Sequence, residues 1–153
     1  MAMAEFDIAR QTVIAADPTR ILALIDDFHQ WIKWSPWEGL DPNLERVYSG
    51  PDRGLGAKYS WKGNRKAGQG SMEITSVTPD TVGIRLAFEK PYKATNQATF
   101  ELRPVDGGTD VTWRMTGQRT GIMTMLGKLM DKLVGKDFEK GLAKLRAEAE
   151  TKD

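Results

Sequence analysis

Apolar and polar side chains alternate through the middle of this chain, and a helical repeat replaces the alternation on both flanks. The stretch FDIARQTVIAA sets Phe6, Ile8 and Val13 among polar neighbours and predicts a first strand. In DPTRILALIDDF, the residues Ile21, Leu22, Leu24, Ile25 and Phe28 share one helical face. Asp17 suits the N-cap there and Pro18 the first helical position. This helical region must end before Pro36, because the residue before a proline is pushed out of helical geometry.

Six further strands are predicted in LERVYSG, AKYSWKG, GSMEITSVT, TVGIRLAFEK, ATNQATFELRP and TDVTWRMTG. Short links rich in Gly, Pro, Asn or Asp separate them, which favours antiparallel hairpins over parallel crossovers. Gly68 and Gly70 mark a bulge or sharp bend of the kind that a curved sheet needs. The chain then closes with about 30 residues of helical pattern. Ile122, Met125, Leu126, Leu129, Met130 and Leu133 form one stripe; Val134, Phe138, Leu142 and Leu145 form another, well rotated from it. A straight helix cannot aim both at one surface, so a kink or break is expected near Gly135, between a short helix and a longer terminal one. The order is therefore strand, helix pair, six strands, long helix: an α+β chain whose last helix covers the apolar face of one sheet.

Composition narrows the function. The 153 residues suit a single domain spanning 1–153, and 22 basic against 21 acidic residues leave a formal charge of +1. That balance gives no electrostatic reason to expect nucleic acid. Cysteine is absent and histidine occurs once, so thiol chemistry is excluded and a histidine-based metal site is disfavoured. Neither a cofactor nor stable membrane insertion is expected, since no apolar run reaches the roughly 18 residues of a membrane span. No secretion signal is visible, and a cytoplasmic location is the default. Oligomeric state leaves no mark on the sequence.

Within the strands, one parity is apolar: Tyr59 and Trp61; Met72 and Ile74; Ile84, Leu86 and Phe88; Ala98, Phe100 and Leu102; Val111, Trp113 and Met115. The other carries Lys58, Lys62, Glu73, Arg85, Glu89, Glu101, Arg103 and Arg114 and belongs to solvent. Tyr59 is then the one titratable group on the inner face, with Asn96 and Ser76 as neutral polar companions. So poor a supply of proton-transfer groups favours binding over catalysis. His29 and Glu38 are the outlying candidates: His29 is read as half-buried on the polar side of its helix, Glu38 as a loop carboxylate near a cavity mouth. GLGAK, with Gly-x-Gly before a lysine, leads into a strand and is read as a turn. Lys128, Lys132, Lys136, Lys140 and Lys144 interleave with acidic residues and are read as a solvated helix face.

Three stretches carry a resemblance: WSPW after the early helices; GLGAKYSWKGNRKAGQGSMEI; and GGTDVTW together with MDKLVGKDFEKGLAKL. With the order of elements, they resemble the helix-grip (START-like) superfamily, specifically its bacterial polyketide cyclase/dehydrase and lipid-transport group. The resemblance runs from about residue 5 to 148. It implies a curved antiparallel sheet of about seven strands around a long C-terminal helix, with two short helices between strands 1 and 2. It also implies an apolar cavity between sheet and helix that takes a small hydrophobic or aromatic ligand, the alternative being a cyclase or dehydratase acting on such a molecule. The candidate ligand contacts are then Trp37, Tyr59, Trp61, Met72, Ile74, Leu86, Phe88, Phe100, Trp113, Met115, Leu126 and Met130. Trp31 and Trp34 are expected to plug the core, and Trp37, beyond the proline, to stand at the entrance.

Overall fold

Seven strands hydrogen-bond in the order β1-β7-β6-β5-β4-β3-β2, every neighbouring pair antiparallel, in a computed structural model that describes residues 3–90, 93–120 and 127–151. They are β1 (Met3–Ile14), β2 (Glu45–Ser49), β3 (Lys58–Lys62), β4 (Gln69–Thr78), β5 (Thr81–Lys90), β6 (Ala94–Val105) and β7 (Gly108–Thr120). Between β1 and β2 lie α1 (Pro18–Ile25) and a 3-10 helix (Phe28–Lys33), and α2 (Gly127–Glu150) closes the chain. From β2 to β7 each strand pairs with its successor, and the pairing of β1 with β7 brings the chain's first strand beside its last. The result is the expected α+β helix-grip arrangement, a curved open sheet with a helix against its concave face.

The predicted alternation places the core on that face. Ile84, Leu86, Ala98, Phe100, Leu102, Val111, Trp113 and Met115 are all buried. Two details depart from strict alternation. Val13 is half exposed whereas Ile14 is fully buried, so Ile14, not Val13, continues the inward set of Ile8. The β4–β5 register shifts at Gln69/Gly70 and again at Ile74/Ser76. The second shift inserts Thr75, and beyond it Val77 turns to the core while Ser76 is exposed, contrary to the inward position expected of it.

The helices also differ in detail from expectation. Asp17 occupies the N-cap of α1 in extended geometry, yet its side chain makes no capping bond. Asp27 does cap the 3-10 helix, its carboxylate accepting from the His29 N–H at 2.9 Å. α2 runs unbroken through Gly135, so the helix break expected there does not occur. Both stripes need not meet the sheet, because the described members of the first stand half in the open: Leu129 is 56% and Leu133 49% exposed. Phe138, Leu142 and Leu145 of the second stripe are buried. The last turn is tied to α1: the Arg20 guanidinium donates to the carbonyls of Glu148, Ala149 and Thr151, and the Ala15 N–H to the Glu150 carboxylate. Burial of Ile122, Met125 and Leu126 falls outside the described residues, as does that of the Met130 side chain.

Gly135 and Gly141 of α2 allow close approach. A Cβ on Gly135 would collide with the Arg10 guanidinium, and one on Gly141 would lie 2.8 Å from the Trp113 ring and 2.9 Å from Pro36. Two effects compete in Gly141→Ala: about 1 kcal/mol gained in helix propensity and about 1–3 kcal/mol lost to overpacking. Trp113 and Pro36 are both buried and have little room to move. Chemical denaturation is therefore expected to show a net loss of about 1 kcal/mol; a more stable variant would mean that α2 can lift off the sheet.

Candidate functional site

The space between sheet and α2 is solid at one end and hollow at the other. The solid end is aromatic. Trp113 stacks on Phe138 of α2 at 4.1 Å between ring centroids and on Phe100 at 4.9 Å. Trp34 meets Trp31, Phe100 and Trp113 at 4.5, 5.9 and 5.6 Å. The indole N–H groups of Trp31 and Trp34 donate to the carbonyls of Ile25 and Leu24, both at 2.8 Å. Each polar tip is thereby satisfied inside the core.

The hollow end is a cavity of about 420 Å³. Seven of the residues singled out from the sequence lie on its wall: Trp37, Tyr59, Trp61, Met72, Leu86, Phe88 and Met115. Ile74, Phe100 and Trp113 do not; they are packed in the interior, at most 2% exposed. Leu126 lies outside the described residues, and so does the side chain of Met130. Trp31 reaches the wall as well as the core, and Trp37, half-buried, donates from its indole N–H to the Asp137 carboxylate at 3.1 Å. Among residues not singled out, Phe6 and Ile8 of β1, Phe28, Tyr48 and Asp137 also line the space. A signal existed for Ile8, which shares the alternation of β1 and pairs with Met115. None existed for Tyr48, whose strand turns Val47 outward (59% exposed) and Arg46 inward.

One part of the wall is polar. The Glu38 carboxylate on the wall pairs with the Arg46 guanidinium, which is not itself part of the lining. The Tyr48 ring lies 5.2 Å from Tyr59 and stacks on His29 at 4.1 Å. His29 Nδ1 and an Asp27 carboxylate oxygen lie 2.8 Å apart. Burial, reinforced by the Glu38 carboxylate and Tyr48 and opposed by Arg46, pushes Tyr59 up to about 12. Tyr48 is raised by burial first and by Glu38 and Asp27 besides. Burial alone would lower Arg46, but attraction and hydrogen bonding to Glu38 outweigh it and the net shift is upward. Tyr59 is therefore a neutral phenol near pH 7, able to donate a hydrogen bond and poorly suited to lose its proton. Asn96 adds a neutral amide to the wall.

His29 is itself not on the wall, and its side chain is 47% exposed. Arg114 points to the outer face of the sheet, where it holds Asp7 through two contacts of 2.8 and 2.9 Å. Among the described residues no cluster of His, Cys, Asp or Glu is placed to hold a metal ion, and no helix is long and apolar enough to cross a membrane.

A curved antiparallel sheet gripping a C-terminal helix around an apolar cavity defines a helix-grip protein. The model of one family, polyketide cyclase / dehydrase and lipid transport, matches residues 5–150, and the chain belongs to that family. Its fold is shared by a protein from Chromobacterium violaceum, 16% identical, with a TM-score of 0.69 over 95% of this chain and 98% of that one. A protein from Mycobacterium smegmatis, 20% identical, gives 0.65 over 96% and 92%. The Aha1 dimer from Colwellia psychrerythraea, also 20% identical, gives 0.59 over 88% and 93%. Comparison with curated proteins finds no match.

Proposed function

We propose that this chain binds a small hydrophobic or aromatic molecule in the cavity between its curved sheet and C-terminal helix. The observation that carries the proposal is the cavity itself: about 420 Å³, walled mainly by aromatic and aliphatic side chains, with neutral polar groups that include Tyr59 and Asn96 and with charged residues among its lining. Ligand sites generally combine a volume of this order with a few oriented polar groups. Ile74, Phe100 and Trp113 support the wall from behind and would act by keeping it rigid. Met72 and Met115 give the wall adaptable surface.

The test is displacement of the fluorescent probe N-phenyl-1-naphthylamine by decanol, a neutral molecule with a flexible apolar body. Decanol does not absorb, so tryptophan emission reports its contacts directly. Trp37, half-buried at the wall, loses water when the cavity fills, whereas Trp31 is already 95% covered. Trp37→Phe is expected to reduce the decanol-induced emission change, leaving the share of Trp61, which is also half-buried at the wall, and Trp31→Phe to retain it. The reverse pattern overturns the role given to Trp37, and failure of wild-type protein to bind either molecule overturns the function.

A second reading, a cyclase or dehydratase acting on polyketide-like molecules, draws on the position of Tyr59 and Glu38 at the wall. Glu38 is already engaged by Arg46 and burial holds Tyr59 as a neutral phenol that is slow to give up its proton, so binding remains the better-supported function.

A further inference from the structure

We infer that the occupant of the cavity ends in an anionic group, a carboxylate or its equivalent, held at the mouth by Lys66, Lys90 and Lys93; this rests on the binding function proposed above. All three lysines border the cavity although they come from separate parts of the chain. Lys66 lies in the β3–β4 turn, Lys90 ends β5 opposite Gln69 of β4, and Lys93 directly precedes β6, whose first residue Ala94 pairs with Phe88. Two neighbouring hairpins therefore deliver three ammonium groups to one end of an apolar space.

Those charges lack compensation. No carboxylate pairs with Lys66, Lys90 or Lys93 among the described residues, where the ion pairs are made by arginines and His29 and none by a lysine. Glu89, the residue skipped where Gln69 pairs with Lys90 and Gly70 with Phe88, is exposed and is not part of the cavity wall. Asp41 is occupied by the N–H groups of Asn43 and Asn64 at 2.8 Å each. The acids at the wall are engaged as well, Glu38 by Arg46 and Asp137 by the Trp37 indole.

The turn that presents Lys66 is also braced. Asn64 Oδ1 accepts from the N–H groups of Lys66 and Ala67, both at 3.0 Å, and the Trp61 indole donates to the Ala67 carbonyl at 2.9 Å. Trp61 thus forms wall and fixes the turn at once. An apolar interior cannot take an unpaired charge, since desolvating it costs more than the cavity returns. A charged end group must stay at the wet mouth, and lysines can lay their apolar stems along the wall while keeping their ammonium groups there. The fitting ligand is an organic acid with an apolar body, free in solution.

Decanoate and decanol share a body and differ in the end group, so the pair isolates the charge. At low ionic strength, Lys66→Gln/Lys90→Gln/Lys93→Gln is expected to lose affinity for decanoate on the order of tenfold and to bind decanol within about twofold of wild type. The decanoate effect should vanish in about 0.5 M salt. Equal affinity of wild type and variant for decanoate at low salt overturns the inference while decanol binding leaves the cavity function standing. Wild-type protein that binds neither ligand fails both. Lysine-dependent co-sedimentation with phosphatidylglycerol vesicles, with no lysine effect on decanoate, would assign the cations to a membrane headgroup and overturn the free acid.

Discussion

Trp34→Ala is expected to lower the unfolding free energy by about 3–5 kcal/mol, the range of a large aromatic truncated in a core that cannot collapse around the gap. Trp34 is fully buried and meets three aromatic rings, two of them rigidly stacked on others. Its removal also leaves the Leu24 carbonyl without its indole donor in a buried place. Trp37→Ala, three residues on, should cost about 2 kcal/mol or less, because that ring is half-buried and one side meets the cavity. Urea denaturation of both variants measures the contrast. Equal losses would mean that Trp34 lies in a region able to repack, contrary to the solid aromatic layer described above.

This contrast between two tryptophans was legible from the position of Pro36, which separates Trp34 in the helical region from Trp37 in the loop. The seven strands were legible too, because each has a buried and a solvated face and alternation records that directly. Height along a strand is not recorded. Met72 and Ile74 share a parity, as do Phe88 and Ile84, yet Met72 and Phe88 reach the hollow end while Ile74 and Ile84 are sealed. Only the placement of the Trp34–Trp113–Phe138 layer decides which inner-face residues see a void, and that layer joins three distant segments. Ser76 was misplaced by one inserted residue, Thr75, since a bulge reverses every parity beyond it. The expected break at Gly135 assumed that an apolar stripe must be covered; Leu129 and Leu133 instead remain half exposed on an unbroken helix. Arg46 could not be recognised as inward-facing, because what makes its burial tolerable is Glu38, from another loop.

Met72→Trp/Leu86→Trp is expected to weaken decanol binding at least about tenfold, some 1.4 kcal/mol, with little change in fold. The two residues are direct cross-strand partners on β4 and β5 and both line the cavity. Two indoles in place of a thioether and an isobutyl group enter the 420 Å³ space side by side, where the ligand's body would lie. Overpacking normally destabilises because extra atoms have nowhere to go; here the added bulk has a void to enter. Ile74→Trp supplies the opposing case on the same strand and the same face. Ile74 is fully buried off the cavity wall, so its indole must displace packed neighbours and should cost about 1–3 kcal/mol. Thermal unfolding and decanol titration of the two variants then separate face from height. A double variant that still binds decanol at wild-type affinity would move the site away from the β4–β5 wall. If it unfolded as readily as Ile74→Trp, the wall there would have to be packed solid, and the binding function would lose the observation on which it rests.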